Sequence, residues 1–275
     1  MVVVLSLISA VAYGLSDFVG GLASRRTSAW PVAFVGTSSA LVGALVLASL
    51  TDGDPTAVDL GWGALAGVGT GAGGAFLYRG LAAGRMGVVA PISAVGAALL
   101  PVSVGVLTGE RPSLLVWLGI LAAVPGIWCV SREPGTSGDL AAGIADGVLA
   151  GVGFGLLFAA MGQVPAEAGY WPLALSQAVG SVSIALTATL LGGRWVPYDR
   201  SQAWAVVPGL LATVAVVAFL LATQTGLLTV ASVVTSLYPA VTIVLAALVL
   251  KERIHRGQAA GLALCGVAVA LVAAG

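Results

Sequence analysis

Charge is scarce in this sequence. Charged residues fill only 8% of its 275 positions, the formal net charge is zero, and there are one histidine and two cysteines. Soluble domains carry about a quarter of their residues as Asp, Glu, Lys and Arg, so a water-exposed shell around a core is excluded. A neutral chain offers no basic surface for nucleic acid. His255 lies in a predicted loop, and no metal-ligand spacing or Gly-rich phosphate loop is present, so neither an enzyme nor a bound metal or cofactor is expected. Cys129 and Cys265 fall inside apolar segments of different halves, which argues against a disulfide framework.

What remains is apolar. Hydrophobic residues make up 59% of the chain and the mean hydropathy is +1.08. A bilayer core needs about 20 apolar residues per crossing, because a helix satisfies its backbone groups internally where no water can. Ten such spans are predicted, at 2–22, 31–50, 62–83, 86–107, 113–131, 140–163, 172–192, 203–224, 228–250 and 257–274. The fold class is therefore all-α integral membrane. Met1-Val2-Val3-Val4-Leu5 lacks the basic segment of a cleavable signal and is read as the start of the first span. Trp30, Trp62, Trp171, Trp195 and Trp204 flank spans, where amphipathic rings prefer the headgroup region.

The chain also repeats itself. Gly84, Val88, Ser93, Glu110, Arg111 and Gly119 return as Gly226, Val230, Thr235, Glu252, Arg253 and Gly261, an offset of 142 residues. Tyr13-Gly14 and Trp30-Pro31 return as Phe154-Gly155 and Trp171-Pro172 at an offset of 141. This divides the chain into five-span units, 1–135 and 136–275. An odd number of crossings per unit makes the second copy enter from the opposite face, giving inverted repeats. Basic residues mark one side: loops after odd-numbered spans carry Arg25, Arg26, Arg85, Arg132, Arg194, Arg200, Lys251, Arg253 and Arg256, and those after even-numbered spans only Arg111. The positive-inside rule then puts both termini outside the cytoplasm.

Glycine ladders (Gly143, Gly147, Gly151, Gly155 in the sixth span; Gly63, Gly67, Gly71 in the third) predict close helix packing. Pro91, Pro101, Pro125, Pro208 and Pro239 lie inside spans and predict kinks. Glu110-Arg111 and its copy Glu252-Arg253 read as helix-end and loop-fixing elements.

Three ionisable residues are embedded: Asp17, Arg79 and Asp146. Such groups are costly in hydrocarbon and face protein or a wet interior. At 1.5 Å per residue all three lie about 7–10 Å from midplane on one side, so a charge triad at one depth is geometrically possible. Ser6, Ser9, Tyr13, Ser16 and Asp17 share a face of the first span; Ser232, Thr235, Pro239 and Thr242 share one in the ninth, with Tyr238 nearby; Gln177 and Ser181 share one in the seventh. These stripes predict a moderately polar central cavity.

With Tyr13-Gly14-Leu15-Ser16-Asp17-Phe18 in the first span, Pro91 through Gly109-Glu110-Arg111 around the fourth, and Tyr238-Pro239 through Lys251-Glu252-Arg253 around the ninth, the chain resembles the drug/metabolite transporter superfamily, EamA type, over nearly all its length. The resemblance implies ten helices in two inverted repeats, a central cavity, and alternating access driven by an ion gradient or exchange, commonly for export. Members handle amino acids, other metabolites, nucleotide sugars or drugs; the ninth span has no motif of Asn and Lys, which argues against the nucleotide-sugar branch. Many ten-helix members are thought to keep both termini in the cytoplasm, opposite to the charge count. Four-helix relatives carry an acidic residue in their first helix, a role Asp17 takes by analogy.

The expectation is thus a multi-pass protein of a bacterial cell membrane that exports a small, partly polar organic solute, with protons as the coupling ion. An uncoupled facilitator is the alternative. Lining residues are expected to be Tyr13, Asp17, Tyr78, Arg79, Ser93, Phe154, Gln177, Thr235, Ser236 and Tyr238. The aromatic rings would stack on the solute, Arg79 would pair with a carboxylate, and Asp17 would exchange a proton.

Overall fold

The computed structural model describes residues 1–24, 27–82, 86–131, 140–251 and 253–275. Its α-helices are α1 (Val2–Ser24), α2 (Ala29–Leu50), α3 (Ala57–Ala82), α4 (Met86–Leu107), α5 (Leu114–Ser131), α6 (Leu140–Met161), α7 (Trp171–Leu190), α8 (Val206–Thr225), α9 (Leu228–Thr235), α10 (Tyr238–Val249) and α11 (Arg256–Ala274). Short 3₁₀ turns at Ala166–Ala168 and Arg200–Ala205 precede α7 and α8. Eight helical stretches are long and apolar enough to cross a bilayer, with α9 and α10 counted together. Of the two other predicted crossings, α3 is diluted by glycine and α4 contributes the shorter apolar stretch Ile92–Leu107.

Large apolar side chains cover the outside of the bundle: Val4, Ile8 and Val11 on α1, Val42 and Val46 on α2, Leu121 on α5, Val182 and Leu186 on α7 are all exposed. In water such a surface would aggregate; against lipid it costs nothing. The chain is a multi-pass integral membrane protein.

Two predicted spans differ from the observed ones. The third begins at Ala57 rather than 62, because Asp59 is not a loop charge: its Oδ2 accepts from the Thr56 amide (2.8 Å) and hydroxyl (2.7 Å), while Thr56 Oγ1 accepts from the Asp59 amide (3.2 Å). This is a capping box at the helix start. The ninth span is not one helix but two, α9 and α10, broken at Ser236-Leu237. Pro239 has no amide to give to the Thr235 carbonyl, and its ring crowds that carbonyl, so the helix stops one turn earlier. α4, by contrast, runs through Pro101 unbroken.

Side-chain register gives the sense of each helix. α3 runs alongside α7 in the same direction, with Gly63 against Pro172 and Gly71 against Ser183, and antiparallel to α6, with Gly69 against Leu157 and Gly73 against Gly153. Since α1 and α3 point the same way, α6 points opposite to α1, and the two halves enter from opposite faces. The pairings follow the same exchange: α3–α6 matches α8–α1, α3–α7 matches α8–α2, α4–α6 matches the contacts of α9 and α10 with α1, and α5–α11 maps onto itself. One end of the bundle holds Asp52, Asp54, Asp59, Glu110 and Glu167, the acidic end; the other holds Arg194, Lys251, Arg253 and Arg256, the basic end.

The glycine ladders are packing surfaces. A methyl group on Gly151 would lie 3.0 Å from the Gly96 Cα, and one on Gly153 would lie 2.7 Å from the Gly73 Cα. Backbone meets backbone on both faces of α6, so no side chain can swing away. Gly151→Val is therefore expected to force α4 and α6 apart at a cost of about 1–3 kcal/mol, read as a melting temperature in detergent lower by several degrees. An unchanged melting curve would show that the helices are not held at this spacing.

Candidate functional site

The centre of the bundle is aromatic. Tyr13 of α1 meets Phe158 of α6 edge to face at 5.8 Å between centroids and Tyr238 of α10 at 6.1 Å, and Phe158 continues to Phe219 of α8 at 4.8 Å. Four helices from both halves converge here. Edge-to-face and tilted pairs at these distances match the ring quadrupoles. α1 and α10 touch closely, with Gly14 against Val241, and Thr242 donates to the Gly14 carbonyl at 3.3 Å.

The break in the ninth span is the polar part of this centre. All eight residues of α9 are buried, and none of α10 is. Where they meet, Thr235 and Ser236 are fully buried and their hydroxyls have no hydrogen-bond partner among the described residues; the Tyr13 hydroxyl is in the same position. A buried hydroxyl without a partner costs on the order of 1–3 kcal/mol, and three such hydroxyls lie here, those of Thr235 and Ser236 at the break and that of Tyr13 on the ring that meets Tyr238. Discontinuous helices free backbone and side-chain polar groups near midplane.

Asp17 lies one turn beyond Tyr13 on α1. Its side chain is exposed. It makes no ion pair or hydrogen bond among the described residues. A triad with Arg79 and Asp146 does not form around it. Arg79 instead donates through Nε (2.8 Å) and Nη2 to Oδ1 of Asp146, which is 1% exposed, and its guanidinium lies 4.8 Å from the centroid of Phe76. Asp146 is thus the buried partner of Arg79.

The other predicted lining residues are placed as follows. Ser93 is buried and its hydroxyl is spent on the Ala90 carbonyl of its own helix (3.0 Å). Phe154 packs on Gly73 of α3. Gln177 is buried on α7, and its carbonyl accepts from Ser181 (2.9 Å). The side chain of Tyr78 lies outside the described residues. The serine stripe of α1 divides: Ser9 and Ser16 donate to the carbonyls of Ala215 and Pro208 (both 2.8 Å) and fasten α1 to α8, leaving Tyr13 and Asp17 for the centre.

Sequence reasoning missed Phe158, although the repeat pointed to it: at the 141-residue offset Phe158 is the counterpart of Asp17, as Phe154 is of Tyr13. It also missed the reach of Glu110. That carboxylate leaves its own loop and accepts from the amides of Leu228 and Thr229 (3.0 Å for Thr229), at the start of α9 in the other half.

The two ends are packed differently. Toward the acidic end the bundle is filled by Leu157, Phe158, Met161, Leu173, Phe219, Leu220 and Leu228, all buried in one cluster. Toward the basic end Asp17 is exposed and Arg79 is 43% exposed. A hollow of about 390 Å³ at the acidic end, lined by Gln163, Glu167 and Gln224, and an apolar one of about 700 Å³ between α4 and α5, lined by Leu99, Val106 and Trp117, lie away from the aromatic centre.

Residues 138–274 match the family model described as EamA-like transporter family. Sixteen chains of solved structures resemble this one. One is a crystal structure with a TM-score of 0.74, 16% identical, covering 99% of this chain and 98% of its own. At that identity the likeness speaks for the fold alone. No curated protein matches the sequence.

Proposed function

We propose, from the premise that this chain belongs to the EamA-like transporter family and so carries small solutes across a membrane, that it works as a secondary active exporter by alternating access. The two units, 1–135 and 136–275, are read as copies of one ancestral repeat that rock against each other around the centre built from Tyr13, Asp17, Phe158 and Tyr238. The observation that carries this reading is the break between α9 and α10, with the partnerless hydroxyls of Thr235 and Ser236 and, one turn beyond Tyr13 on α1, the Asp17 carboxyl, which makes no ion pair among the described residues. A solute of small size and mixed polarity fits such a centre: rings to stack on, hydroxyls to bond, and one acid to accept a proton or a positively charged group.

Charge balance narrows the solute. Arg79 was expected to meet a carboxylate, but its guanidinium is already matched by Asp146. We infer that the centre favours neutral or cationic solutes over anions. Asp17 supplies the coupling: it exchanges a proton against the solute as access alternates. The packed acidic end and the accessible basic end correspond to one of the two states, open toward the side that the positive-inside rule makes cytoplasmic.

Flux from liposomes tests this. Reconstituted protein, offered amino acids and amphiphilic amines under an imposed pH gradient, is expected to move at least one of them against its concentration gradient and to stop when the pH gradient is collapsed. Movement only down a concentration gradient, unchanged by pH, would favour the uncoupled facilitator.

A further inference from the structure

We propose that Glu110 is a positioning residue of the transport cycle, a latch that holds the acidic end shut by capping α9 across the two halves. The inference rests on the alternating-access reading given above.

The first four amides of any helix lack partners inside it, and they concentrate partial positive charge that favours a carboxylate. α9 starts after Leu227, which makes no side-chain cap, and the helix is buried along its whole length, so water does not serve these amides. Glu110 does, from a loop 118 residues earlier: one carboxylate oxygen takes the Leu228 amide and the other the Thr229 amide. The loop is shaped for this. Gly109, at φ +106, turns the chain off the end of α4 in a conformation that favours glycine, and the Glu110 amide returns to the Gly105 carbonyl at 2.9 Å. The side chain then folds back over α4 against Gly105, where any Cβ would collide with the carboxylate.

α9 is eight residues long, too short to persist on its own, so its place depends on burial and on this cap. At 1.5 Å per residue the cap is about 12 Å from the break that carries Thr235 and Ser236. One carboxylate thus fixes both the closure at the acidic end and the position of the hydroxyls at the centre. Opening that end requires α9 to move from α4, and the two amide contacts are what must let go.

The test pairs Glu110→Gln, which keeps an acceptor but loses the charge, with Thr229→Pro, which removes one donor amide at a first-turn position that tolerates proline. Both are made in a Cys129→Ala, Cys265→Ala background carrying Ala231→Cys, a fully buried reporter on α9. Each variant is expected to raise labelling of the reporter by a membrane-impermeant maleimide applied from the acidic side, by about five- to tenfold, the factor that matches a lost cap. The double variant should label no faster than either single one, because both break the same contact. Melting temperatures in detergent should stay within a few degrees of the parent. Unchanged labelling in folded variants, additive effects, or failure of both variants to fold would each overturn the latch, the last by making Glu110 purely structural. Labelling needs no solute and no flux, so a wild-type protein that moves nothing in liposomes would sink the transport reading while leaving this result standing.

Discussion

Asp17→Asn is expected to abolish uphill transport while leaving a folded protein that still binds solute. Asn has nearly the same shape as Asp and keeps hydrogen-bonding capacity, but it cannot gain or lose a proton. Asp17 makes no ion pair among the described residues, so its removal breaks no packing. For a neutral solute exchanged against one proton, each unit of pH difference sustains a concentration ratio of at most about tenfold, since 1.36 kcal/mol per unit corresponds to that factor. In the variant the ratio should fall to about 1 whatever the pH difference, while exchange of labelled for unlabelled solute continues. The direction follows from the roles: proton entry from the side opposite the cytoplasm displaces the solute there, so a gradient in the opposite sense should reverse the flux in the wild type and do nothing in the variant. Accumulation at wild-type level in Asp17→Asn would remove this residue from the mechanism and send the search for a coupling group elsewhere.

The second large effect concerns stability. Arg79→Ala takes the guanidinium from a carboxylate that is 1% exposed. Removing one partner of a buried pair costs about 3–5 kcal/mol, because the remaining charge is left in low dielectric. The value here should fall at the lower end, since Arg79 is 43% exposed and Asp146 keeps further contacts. At about 2–4 °C per kcal/mol for chains of this size, the melting temperature should drop by roughly 6–12 °C. Replacing both partners, Arg79→Met with Asp146→Leu, should recover most of the loss, as apolar substitutes of similar volume often do. The same double variant separates two roles for Arg79. If it binds solute as well as the wild type does, the pair is a brace between α3 and α6; if anionic solutes alone lose affinity, Arg79 belongs to the binding centre after all.

Much of the architecture was legible before any coordinates, for physical reasons. Lipid demands long apolar helices, and an odd count per repeat dictates inversion, so spans and senses follow from hydropathy and one offset. The break at Ser236-Leu237 was not legible. Pro239 was visible, but Pro101 sits in an unbroken helix, and proline alone does not say whether the chain will stop. The difference lies in partners distant in sequence: α9 can be a separate short helix because Glu110 caps it from the other half. Likewise Ser9 and Ser16 share a face with Tyr13, and periodicity cannot tell which of them will find a carbonyl on α8. Asp17 and Arg79 were placed at one depth by counting residues, yet depth does not fix azimuth, and Arg79 turns to Asp146. The centre was therefore half readable: of the residues foreseen, Tyr13 and Tyr238 meet next to the break that Thr235 and Ser236 flank, while Ser93 bonds within its own helix and Phe154 packs on Gly73.

The extensive helix contacts, α3 with α6 and α7, α4 with α6, α1 with α8 and α5 with α11, all join one half to the other, and contacts between neighbours in sequence are sparse. During synthesis the first five helices must then wait in the bilayer, glycine faces bare, until the last five arrive. Each early helix is a lone guest of the lipid and of whatever insertion factors attend it. Premature termination anywhere before α11 should hand the cell a loose set of rods fit only for degradation, and the same two pieces made as separate polypeptides should find each other in the membrane and reassemble.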